Sequence, residues 1–209
     1  MPSLRWMTTA ILFAFGLLAA RAGAEAAKRP KEPARIVDET VTKVIGLLED
    51  PVYKSPSERA KRREKIRLIM LDAVDMDTLT ALTLANFKGK FSPAQLEKFQ
   101  DLFSRLIFST YITHLESYSG EKVVVIGAEN QTASRVRVRT KTVTDTKEIP
   151  VEFSFTIIGD EWKLYDVYIE GVSLVKNYRS QFREILVNRS AEQFLERLRQ
   201  KVEENEKEL

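Results

Sequence analysis

Residues 161–182, EWKLYDVYIEGVSLVKNYRSQF, constrain the fold more than any other part of the chain. Trp162, Leu164, Tyr165, Val167, Tyr168 and Ile169 are aromatic or aliphatic types that suit a pleated, half-buried surface. Gly171 then stops the strand, because a residue without Cβ allows a sharp change of direction. Ser173 is placed to cap a helix, its hydroxyl accepting an unpaired backbone N–H of the first turn. Leu174, Tyr178, Phe182 and Ile185 recur at helical spacing. The last strand of a sheet therefore turns directly into a helix with an apolar stripe, and Val172 sits in the hinge.

The residues before this stretch predict the rest of the sheet. Residues 122–127 are nearly all Val and Ile. Residues 135–142 alternate, with Val136 and Val138 opposite Arg135, Arg137, Arg139 and Lys141. Residues 149–158 alternate again, with Val151, Phe153, Phe155 and Ile157 opposite Glu152, Ser154 and Thr156. Gly159-Asp160 is a hairpin turn into the strand at Trp162. Period-two alternation of this kind predicts an antiparallel sheet of four strands with one wet and one apolar face.

Helices are expected on both sides of the sheet. Residues 34–49 carry a stripe of Ile36, Val37, Val41, Val44, Ile45 and Leu48. A basic block, Arg59, Lys61, Arg62, Arg63 and Lys65, opens a second helix and reads as a solvated face, and residues 75–87 form a third. Ser92-Pro93-Ala94-Gln95 is a strong helix start, and the helix it opens carries Phe99, Phe103, Phe108 and Tyr111. Ser190-Ala191-Glu192-Gln193 starts the last helix by the same logic. The fold class is α+β, with the domain over residues 34–203, a flexible tail over 25–33 and a fraying tail over 204–209.

Residues 1–24 read as a secretory signal peptide. Arg5 is the positive flank, residues 7–20 are apolar, and Ala22-Gly23-Ala24 offers a small-residue cleavage site after Ala24. An apolar run of about fourteen residues falls short of the roughly 20 that a spanning helix needs. Cysteine is absent, which excludes disulfides, thiolate metal sites and cysteine nucleophiles. Lys and Arg number 33 against 30 Asp and Glu, too even a balance for a nucleic-acid surface. His114 is the only histidine, and no nucleophile elbow, zinc ligand set or phosphate-cradling glycine loop accompanies it. Asp166 and Glu170 lie about 13 Å apart along a strand, too far for a glycosidase pair. They are expected instead to make structural hydrogen bonds or ion pairs with the basic neighbouring strand, for example to Arg137 or Arg139.

The run W-x-L-Y-D-V-x-I-E-G-V-S-L-V-x-N-Y-R-x-Q-F, over residues 162–182, resembles the signature of the MlaC family, the periplasmic phospholipid-binding shuttles also called toluene-tolerance auxiliary proteins. The family has a glycine and a Trp-like aromatic before its Ser-Pro helix start; here Phe87 or Phe91 takes the place of the aromatic. From the residues alone, Phe99, Phe103, Phe108 and Tyr111 are expected to face Val151, Phe153, Phe155 and Ile157, with Tyr165, Val167, Ile169, Val172 and Leu174 near the hinge and Tyr178 beyond it. Such a stripe reads as packed core. The resemblance implies something else: a curved sheet wrapped by helices into a cone similar to nuclear-transport-factor folds, whose interior stays open as a pocket for lipid acyl chains. It implies a monomeric, non-enzymatic carrier in the periplasm, with phospholipid as cargo and no cofactor. Its partners would be an inner-membrane ABC transporter with an MCE-domain ring and an outer-membrane lipoprotein complex. A hopanoid or other apolar lipid as cargo, an enzyme for an apolar substrate and a packed interaction module remain open beside it.

Overall fold

The computed structural model describes residues 31–209. The expected signal peptide and residues 25–30 of the expected tail lie outside the described residues. Helices come first: α1 (Lys31–Glu49), α2 (Arg59–Ala73), α3 (Met76–Leu84) and α4 (Pro93–Glu116). The sheet follows as β1 (Lys122–Thr132), β2 (Arg135–Val143), β3 (Glu148–Ile158), β4 (Glu161–Ile169) and β5 (Val172–Ser173). Helices α5 (Leu174–Leu186) and α6 (Ala191–Lys207) close the chain. No helix among the described residues is long and apolar enough to cross a membrane.

The sheet is antiparallel, with its strands in chain order. It has five strands rather than the four expected. Glu170 and Gly171 both take positive φ, 50° and 81°. That is the backbone of a two-residue type I′ hairpin, so the chain folds back and pairs Val172 with Ile169 before the helix begins. The glycine reverses the strand rather than stopping it. At the β3–β4 hairpin only Gly159 has positive φ, the pattern of a type II′ turn.

Helix reaches further at both ends of the described residues than the sequence indicates. Residues 31–33 already belong to α1, since Pro33 falls in the first turn, where backbone N–H groups have no intrahelical partner to lose. At the other end, α6 runs on to Lys207 because its polar residues have partners. Arg105 donates to both oxygens of Glu206 at 2.9 and 2.7 Å. Arg63 donates to the Leu209 carbonyl at 2.9 Å, and the Leu209 side chain packs on the cluster formed by Val44, Ile66 and Ile112.

The basic block is only partly a wet face. Arg62 and Arg63 turn inward and clasp Glu116 at the end of α4, with N–H···O distances of 2.7, 3.0 and 2.6 Å. The three side chains are only 12, 14 and 10% exposed. Burial pushes the Glu116 carboxyl up, but hydrogen bonds and charge from Arg63 and Arg62 outweigh it and hold the carboxyl below its ordinary value of 4.5. A carboxyl held low in the folded state contributes its stabilisation above that ordinary value and loses it as pH falls through the folded one. Glu116→Gln is therefore expected to lower stability at neutral pH by about 2–3 kcal/mol, because two buried guanidiniums lose their counter-charge. It should also flatten the acid limb of a melting-temperature profile below the ordinary carboxylate range, which thermal melts across pH will read.

Ala85, at the end of α3, has φ 47° and ψ −124°. A side chain is disfavoured in that region and glycine is not. Ala85→Gly is expected to raise the unfolding free energy by about 1 kcal/mol, the strain released less the extra chain entropy of glycine. Urea titration of the two proteins measures it.

Candidate functional site

The hinge between β4 and α5 is fastened by Asp166. This carboxylate is buried and lies opposite Ser154 on β3. It accepts from the Ser173 hydroxyl at 2.6 Å and from the Val175 backbone N–H at 3.1 Å. The Ser173 oxygen in turn accepts from the Lys176 N–H at 3.0 Å, the cap expected from the sequence. A carboxylate and a hydroxyl thus satisfy two of the first N–H groups of α5, and negative charge sits where the helix dipole favours it. Arg179, one turn on, donates to the Leu82 carbonyl at 2.6 Å and holds α5 to the end of α3.

The expected pairing of Asp166 and Glu170 with the basic strand is not found. Arg137 bonds Glu152 at 3.4 Å and lies 4.3 Å from the Tyr168 ring centre, and Arg139 bonds Glu129 at 2.6 Å. Glu170 is exposed at the hairpin tip, with its N–H donating to the Pro150 carbonyl. The reason is register: Asp166 stands opposite Ser154 and beside the helix start, where backbone donors are nearer than any guanidinium. Ser173→Ala is expected to cost about 1 kcal/mol and to speed hydrogen exchange at Val175 and Lys176, whereas Ser173→Thr should keep both near the parent values.

The aromatic stripe of α4 does not face the sheet as expected. Phe99 and Phe103 pack on each other at 5.2 Å and on Phe182 at 5.8 and 5.4 Å, and Phe182 stacks edge-on to Phe194 at 5.0 Å. Tyr178 meets Phe103 at 5.1 Å, and Phe91 closes the group against Phe99 and Phe194. Phe91 is therefore the aromatic before the Ser-Pro start that enters the interior. Phe103 and Tyr178 belong to this helical core, while Phe155 belongs to a second cluster with Val37, Val136, Val138 and Trp162 under α1. The alternation was legible in the sequence; which helix would cover which strand was not, and α1 takes the place expected for α4.

The remaining expected residues fall into a different burial class. Phe108, Tyr111, Val151, Phe153, Ile157, Tyr165, Val167, Ile169 and Leu174 are all half-buried, and Val172 is 58% exposed. Phe153 and Ile157 lean on the sheet cluster and Phe108 on the third cluster, between α1, α2 and α4. Tyr111, Val151, Tyr165, Val167, Ile169 and Leu174 stand outside all three clusters. Register brings several of them together. Val138, Phe153 and Val167 form one cross-strand row, and Thr140, Val151, Ile169 and Val172 form the next. Residues opposite each other share a face, so this is an apolar strip running out to the β5 edge.

Tyr165 leaves the strip. A bulge lies between the Asp166 and Leu164 pairings, and the Arg135 guanidinium sits 5.4 Å from the Tyr165 ring centre, which draws the ring to the charged side. Burial pushes the Tyr111 phenol above its ordinary range. The site is thus a partly covered, mainly apolar surface without a charged side chain in its two rows, and it can hold hydrocarbon.

The fold and this strip describe a surface fitted to hold an apolar ligand. In shape the chain is similar to a phospholipid-binding protein from Ralstonia solanacearum, solved in complex with a phospholipid. The TM-score is 0.71 and the identity 19%, over 84% of this chain and 97% of that one. Its sequence is 26% identical over 152 residues to the toluene tolerance protein ttg2D of Pseudomonas putida, which covers 72% of this chain and 71% of that protein. Residues 38–200 match the family model described as MlaC protein, and the chain belongs to the MlaC family.

Proposed function

We propose that this protein is a periplasmic carrier that takes up phospholipid without covalent chemistry and holds its acyl chains against the strip of Val151, Phe153, Val167 and Ile169, with Tyr111, Val172 and Leu174 around them. One observation carries the reading: the interior is divided into three clusters, and only the Val138–Phe153 end of the strip joins one of them, while Val151, Val167 and Ile169 pack on none. The likeness in shape to a protein solved with a phospholipid supports it.

Phe103, Phe155 and Tyr178 are then walls behind the site rather than contacts to the lipid, because each is already surrounded by protein. Hydrocarbon moved out of water gains about 0.8 kcal/mol per methylene, and a bilayer offers the same. A carrier therefore works near parity with the membrane, and a half-covered strip suits that better than a sealed cavity. The chain has no nucleotide motif, so directed transfer draws on its partners: an inner-membrane ABC transporter with an MCE-type ring on one side and an outer-membrane lipoprotein complex on the other.

Organic extracts of the natively purified protein, read by mass spectrometry, test the cargo. Phospholipid near one per chain is expected; a hopanoid or another apolar lipid changes the cargo, and no lipid overturns the reading. Val167→Trp tests the place. If the strip is open, tryptophan fills it, lipid content falls and stability holds; in a packed interior the same change costs about 1–3 kcal/mol. Val172→Glu, at an exposed rim position, should abolish loading with the fold intact, since a charge there opposes the passage of hydrocarbon.

A further inference from the structure

A cleft lies at the other end of β4, away from the strip of Val151, Phe153, Val167 and Ile169. It has a volume of about 630 Å³ and lies between α1, α2 and the β3–β4 turn, with Ile36, Leu68, Ile69 and Trp162 among its walls. A hollow of about 530 Å³ shares Lys43, Leu68 and Ile69 with it, so a continuous furrow follows α1 and α2. Leu68 projects into it 54% exposed, a large apolar side chain with little cover.

The furrow is also acidic. Glu32, Glu39, Asp72, Asp160 and Glu161 line the cleft against Lys43 and Lys163. Lys163 is engaged by Glu161 at 3.0 Å and by the Asp72 carbonyl at 3.1 Å. Arg35 occupies Glu32 and Glu39 from outside. Asp72 and Asp160 have no ion pair among the described residues. Lys43 has no ion pair there either, but five carboxylates against two lysines leave the cleft net acidic, and an apolar floor beside such a wall is complementary to apolar bulk flanked by positive charge.

We propose that this furrow docks a segment of a partner protein that presents a bulky apolar side chain flanked by lysine or arginine. The acidic wall repels an anionic lipid surface. Residues 25–30 of this chain supply Lys28 and Arg29 but no large apolar side chain to cover Leu68. The furrow meets β4 at its Glu161 end, and Val172 pairs with Ile169 at the other, about 25 Å along the strand. A docked partner therefore leaves the β5 edge free, and the inference does not rest on the lipid reading.

The test uses the isotope-labelled chain without residues 1–24, which retains every described contact. It is titrated with a short peptide of leucine and phenylalanine flanked by lysines, and with the same peptide flanked by glutamates. The lysine peptide is expected to shift the Trp162 indole and the amides around Leu68. Its affinity should fall about tenfold in Asp72→Lys/Asp160→Lys, should fall with added salt, and should vanish in Leu68→Ser. These positions are exposed, so the variants are expected to fold and to keep the parent's lipid content. Equal binding of the glutamate peptide, undiminished binding by the charge-reversed variant, or shifts that map elsewhere overturn the proposal. Concentration-dependent shifts of the same resonances without peptide assign the furrow to a second copy of the chain and overturn it as well.

Discussion

The bond set at Asp166 joins the two layers of the molecule. The carboxylate is fixed in the sheet by the β3–β4 register, and its two oxygens take a hydroxyl and a backbone N–H from the first turn of α5. That sets where α5 leaves the sheet. From there Phe182 and Tyr178 reach the rings of α4, and Phe194 follows from α6. A buried carboxylate without partners is expensive; here each of its oxygens accepts one hydrogen bond from a single short chain segment, and that segment has few other ways to run.

With α5 placed this way, the aromatic side chains pack with one another between helices, and the sheet is left to find cover from α1. One helix does not span the apolar face of five twisted strands. It covers Val136, Val138, Phe155 and Trp162 and leaves Val151, Phe153, Val167 and Ile169 half-buried. The available surface is thus a consequence of how the layers meet, and it needs no specialised binding residue. A guest held by such a surface is chosen by its hydrocarbon content, which matches the absence of a headgroup-binding cluster among the residues of the two rows.

Much of this was legible in the sequence. The capping boxes at Ser92 and Ser190, the cap at Ser173 and the alternation of β2 and β3 are local patterns, and the structure repeats them. Three things were not. The bulge that turns Tyr165 over breaks the alternation without leaving a glycine or proline as a sign. The clasp on Glu116 joins residues more than fifty positions apart, and neither partner differs in type from a surface residue. The division of apolar residues into separate clusters depends on which helix covers which strand, a choice that periodicity does not encode. The family signature, by contrast, was legible because its polar members, Asp166, Ser173 and Arg179, are fasteners of the hinge.

The position of α1 bears on the order in which the molecule is completed. Its Val37 rests on a cluster with Val136 and Val138, about a hundred residues downstream. The hairpins of the sheet, by contrast, join neighbours in chain order and close over short loops. A chain synthesised from its amino end therefore makes α1 well before the strands that seat its Val37. Until β2 and β3 have paired, the Val37 end of that helix has nothing to lie on, although its Val44 end can already meet Ile66 of α2.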